Sequence, residues 1–92
     1  MDSRPLAGQL RFVLSAHAET AIAERGIDPA WIERVLVQPA RTDLDRDDPN
    51  LRHALGRIAE RDGRVLRVVY NETSMPWRIV TAYFDRTQRR SL

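Results

Sequence analysis

Cleavage of RNA without a metal needs three groups around one phosphate: a base for the 2′-OH proton, a cation for the crowded phosphate, and an acid for the leaving 5′-oxygen. Histidine, arginine and tyrosine supply those chemistries. In this 92-residue chain their placement singles out His17, Arg67 and Tyr83 as base or acid, phosphate clamp and proton donor. Arg67 and Tyr83 fall at alternate positions of two β-like segments, and the same alternation puts His53, Arg57 and Thr81 on their side. With Arg86 these form a candidate nucleic-acid surface, because paired guanidiniums bind phosphate bidentately. Each residue also has a plainer reading. His17 could tether a helix to backbone, Arg57 and Arg67 could guard an edge or pair with carboxylates, and Thr81 and Tyr83 are good strand formers.

Other chemistries find no support. The chain has no cysteine, which removes disulfides, thiolate zinc sites and thiol nucleophiles together. Asp43, Asp45 and Asp47 imitate the start of a calcium loop, yet the sixth position is Asp48 rather than Gly and the twelfth is Ala54 rather than Glu. No Gly-rich phosphate loop, serine triad or zinc motif is present, so neither a metal nor an organic cofactor is expected.

The positioning elements follow from local chemistry. Leu10 to Leu14 reads as a short strand or extended segment, and Ser15 offers a helix cap. The spacing of Ala18, Ala21 and Ile22 predicts a helix over 16–25, closed by Gly26. Asp28-Pro29 predicts the start of a second helix over 29–38, with an apolar stripe of Trp31, Ile32, Val35 and Leu36. Residues 41–50 read as an acidic loop. Leu51–Glu60, Arg64–Tyr70 and Trp77–Phe84 read as three strands of an antiparallel meander, whose helix-facing side would carry Ala54, Ile58, Leu66, Val68, Val80, Ala82 and Phe84. The expected class is α+β: a helical hairpin on one face of a small antiparallel sheet of three to four strands, in one domain over 1–92 with frayed ends at 1–9 and 86–92.

Charge is unevenly spread. All fifteen basic residues are arginine, and the balance is −1 over residues 1–40, −2 over 41–48 and +5 over 49–92. The basic half suits a polyanion such as RNA or an acidic protein. No membrane span or signal-peptide pattern is visible, so a cytoplasmic protein is expected.

The stretch His17-Ala18, Arg25-Gly26-Ile27, with Val68-Val69 and Val80-Thr81-Ala82-Tyr83 further on, resembles a bacterial domain family of unknown function over roughly residues 12–84. The chain departs from that family's pattern at Ala21, where an arginine usually stands. The family is distantly similar to the toxins of the RelE and ParE superfamily and to colicin-type ribonucleases. That similarity implies a toxin-like domain acting on RNA, in its sharper form a metal-independent endoribonuclease of a toxin-antitoxin pair. The alternative is a non-enzymatic module that docks an acidic, antitoxin-like partner, as ParE-like proteins do. A third reading is a homodimer formed through exposed strand edges.

Overall fold

The computed structural model describes residues 11–92, so the expected fraying of 1–9 lies outside the described residues. In order along the chain come β1 (Phe12–Leu14), α1 (Ala16–Arg25), α2 (Pro29–Val37), β2 (Arg41–Leu44), β3 (Leu51–Ile58), β4 (Arg64–Asn71) and β5 (Trp77–Phe84). The five strands form one sheet in the order β1-β5-β4-β3-β2. Neither helix is long and apolar enough to cross a membrane.

The helices begin and end where their capping chemistry dictates. The Ser15 side chain accepts from Ala18 N, and Gly26 closes α1 in the left-handed conformation at φ 63°. Asp28 accepts from Ala30 N, and Pro29 occupies the first turn of α2, where its missing N–H costs nothing. The pair packs on one sheet face: Ala18, Ile22, Ile32, Val35 and Leu36 bury against Ala54, Ile58, Leu66, Val68, Tyr70, Ile79 and Ala82. Helix α2 comes so near the sheet that a Cβ on Gly56 would lie 3.2 Å from Val35 Cγ2.

The sheet is larger than expected and mixed. β1 runs parallel to β5, pairing Phe12 to Leu14 with Trp77 to Ile79, while β2, β3, β4 and β5 are joined antiparallel. Arg41–Leu44, expected in a loop, is a strand because the outer edge of β3 supplies its ladder partners, with Arg41 opposite Leu55 and Asp43 opposite His53. Local polarity gave no hint of that tertiary template. The strand expected over Leu51–Glu60 stops early, at Ile58: Ala59–Arg61 forms a 3₁₀ turn, and Asp62 and Gly63 both take positive φ before β4 begins.

One face assignment changes. Between Val69 and Tyr70 the β4–β5 register slips by one, so Thr81 faces Val69 but Ile79, not Val80, faces Tyr70. The bulge inverts the alternation in the first half of β5. Ile79 therefore enters the core and Val80 does not.

β1 covers only the first part of β5. Beyond it, α1 closes the edge: Ile79 O accepts from Ser15 N, Val80 O from Ser15 Oγ, and Ala82 O from Arg25 Nη1. Backbone carbonyls of an otherwise open strand are thus satisfied.

Candidate functional site

The sheet face turned away from the helices carries the polar side chains. Across it Leu55, Arg67 and Tyr83 lie in one row, with His53, Val69 and Thr81 in the next. Arg67 and Tyr83 share the expected face and are direct cross-strand neighbours on it.

Arg67 is held on several sides. Its Nε donates to Asp85 Oδ2 at 2.8 Å, its Nη1 donates to His53 Nδ1 at 2.8 Å, and Asp43 Oδ2 lies 3.9 Å away. His53 Nε2 meets Asp45 Oδ1 at 2.7 Å. A guanidinium only donates, so Nδ1 must be the accepting nitrogen and the imidazole proton sits on Nε2, toward the carboxylate. Donation thus runs outward from Arg67, through the His53 ring to Asp45 on one side and directly to Asp85 on the other. The hydrogen bond from His53, with those from the backbone N–H groups of Asp48 and Asp47, holds the Asp45 carboxyl below its ordinary value. Burial pushes the Asp85 carboxyl up, but hydrogen bonds from Thr87 and Arg67 outweigh that and leave it lowered.

The other expected site residues go elsewhere. Arg57 donates to Gly63 O, Arg89 O and Leu92 O, and Arg41 Nη2 donates to Gln88 Oε1. Expected to fray, the chain after β5 instead makes a 3₁₀ turn over Arg86–Gln88, with these contacts reaching it from β2 and β3. Thr81 Oγ1 lies 3.4 Å from Arg25 Nη1. His17 is exposed on α1 in the same i, i+4 row as Ala21 and Arg25, and makes no hydrogen bond or ion pair among the described residues. No described bond joins it to Arg67 or Tyr83.

Arg86 leads to a feature that sequence reasoning did not assemble. A cleft of about 300 Å³ is lined by Arg64, Val65, Phe84, Asp85, Arg86 and Arg89. Among the described residues no carboxylate bridges Arg64, Arg86 or Arg89, whereas Arg34, Arg41, Arg52 and Arg67 all have acidic partners. Asp85 also lines the cleft, but its charge is offset by the ion pair with Arg67 at 2.8 Å. Arg64 lies over the Phe84 ring, 4.5 Å from its centroid. Arg61 stands 6.0 Å from Phe84 and 5.5 Å from Trp31, and the two rings meet edge-on at 6.5 Å. Only the β4–β5 pairing and the turn after Asp85 bring these residues together. The excess of arginine in residues 49–92 was the one sequence signal for them.

The chemistry available is anion binding at the cleft and an internally hydrogen-bonded polar chain beside it. The family model described as a domain of unknown function, DUF4258, matches residues 14–84, and the chain belongs to that family. No curated protein and no solved structure matches it significantly.

Proposed function

We propose that this DUF4258 domain is a toxin-like module that binds RNA through phosphate contacts from Arg64, Arg86 and Arg89. The observation that carries the reading is that, among the described residues, no carboxylate pairs with these three guanidiniums, and Asp85, the acid lining the same cleft, is ion-paired with Arg67. Unpaired arginines around a concave surface attract and orient phosphates. The toxin-like part of the reading draws on the helical hairpin backed by a sheet, an analogy of fold that carries no activity by itself.

Cleavage by His17, Arg67 and Tyr83 has weaker support. Arg67 faces Asp85 and His53 rather than open solvent, and a clamp already neutralised has little charge to offer a phosphate. Binding is therefore the favoured reading. The exposed edge strand β2, with Leu44 67% accessible, favours a second one: a protein partner or a second copy that adds a strand there.

The test is fluorescence anisotropy with a labelled single-stranded RNA at 50 and 200 mM salt, beside incubation of total RNA in EDTA. Three phosphate contacts should give a log–log slope of about −2, or binding about 15–20-fold weaker at the higher salt. The triple replacement Arg64→Ala, Arg86→Ala, Arg89→Ala should abolish most of that dependence. No binding at 50 mM salt, or affinity indifferent to salt, overturns the proposal. RNA cleavage in EDTA that persists in the triple variant would move the site away from the cleft.

A further inference from the structure

We infer that the cleft receives one unpaired nucleotide, with its phosphate against Arg86 and Arg89 and its base stacked on the Arg64–Phe84 layer, so that the domain selects single-stranded over duplex RNA. This rests on the RNA reading and narrows its substrate class.

Size is the first argument. At about 300 Å³ the cleft falls at the lower end of small-ligand pockets and suits one nucleotide. A duplex keeps its bases inside the stack and could offer such a cleft only a phosphate. The lining supplies the second argument, because a surface built for phosphates alone needs no apolar wall. Here Val65 and Phe84 line the cleft together with the guanidiniums.

The third argument is geometric. Arg64 lies 4.5 Å from the Phe84 centroid, so a planar, delocalised cation already occupies a ring face. A base can stack on the outer face of that guanidinium or displace it and stack on the ring itself. Either route uses a π-face that every base has and that pairing in a helix conceals. The neighbouring Arg61, within 6.0 Å of Phe84 and 5.5 Å of Trp31, extends the alternation of cation and ring away from the cleft. The charge of Asp85, the one acid in the lining, is offset by its ion pair with Arg67.

The experiment compares a labelled 12-nucleotide single-stranded RNA with the blunt duplex of the same sequence, at one salt concentration, for the intact chain and for Phe84→Leu and Arg64→Lys. Single-stranded RNA should bind at least about tenfold more tightly than duplex. Phe84→Leu should weaken the single-stranded complex about tenfold, the size of one lost base stack, and leave the duplex affinity and the salt slope unchanged. Arg64→Lys keeps the charge but loses the plane. It should reproduce that selective loss even if Phe84→Leu disturbs the core. Equal, salt-dependent binding of both RNAs overturns the inference while the RNA reading stands. Equal losses for both RNAs in the two variants do the same. Failure of both RNAs to bind sinks the two together.

Discussion

Arg67→Ala separates the two arginine populations most sharply. The Arg67 and Asp85 side chains are 12% and 11% accessible, and the guanidinium bonds Asp85 and His53 at 2.8 Å each. Truncation strands a largely buried carboxylate without its counter-charge and leaves His53 Nδ1 without a donor. Stranding one member of a fully buried pair costs about 3–5 kcal/mol, and the residual accessibility here brings the expectation to about 2–3 kcal/mol. That is a large part of the roughly 5–14 kcal/mol expected for a domain of this length. The melting temperature should fall by about 10–20 °C, read by circular dichroism and checked against urea midpoints at pH 7. Arg86→Ala and Arg89→Ala, which remove guanidiniums that no carboxylate pairs with among the described residues, should stay within about 0.5 kcal/mol of the parent while RNA affinity drops. An Arg67→Ala loss below about 1 kcal/mol, or no larger than that of Arg86→Ala, would refute the assignment of Arg67 to structure and of the cleft arginines to binding.

Acid should destabilise the fold with a definite sign. Asp45 and Asp85 are lowered in the folded chain, and the Arg34 hydrogen bond brings Glu60 down to about 2. Groups lowered by folding stabilise it above their unfolded values, near 4, and lose that contribution as pH falls through the folded ones. Urea midpoints should thus hold level from pH 7 to 5 and decline below about 4, with a shallower decline in Asp85→Asn; a midpoint that rises on acidification would contradict the pairing. Gly56→Val would drive methyls into Val35, already 3.2 Å from a Cβ at that position, and should cost about 1–3 kcal/mol in chemical denaturation. An unchanged midpoint there would mean that α2 does not pack as closely as described. His17→Ala should leave stability within about 0.5 kcal/mol, since the side chain is exposed and makes no described bond. A loss of RNA cleavage in that well-folded variant would return His17 to the chemistry.

The helices and most strand limits were legible in the sequence because local chemistry sets them. Ser15, Gly26 and Asp28-Pro29 satisfy or release backbone groups within one turn of their own positions, so capping could be read from a few adjacent residues. The alternation over Arg64–Asn71 likewise placed Arg67 on the face away from the helices, and the strand pairing then set it opposite Tyr83. Tertiary structure decided the rest. Arg41–Leu44 becomes a strand only because β3 presents an open edge, β1 can pair parallel only once the whole chain has returned through β5, and the slip at Tyr70 moves Ile79 into the core in place of Val80. The functional division among the arginines is of the same kind. A sequence of fifteen chemically identical side chains says nothing about which of them meets a carboxylate. Arg67 meets Asp85 from 18 positions away and Arg34 meets Glu60 from 26, and these long-range encounters leave Arg64, Arg86 and Arg89 with their charge still available to a phosphate.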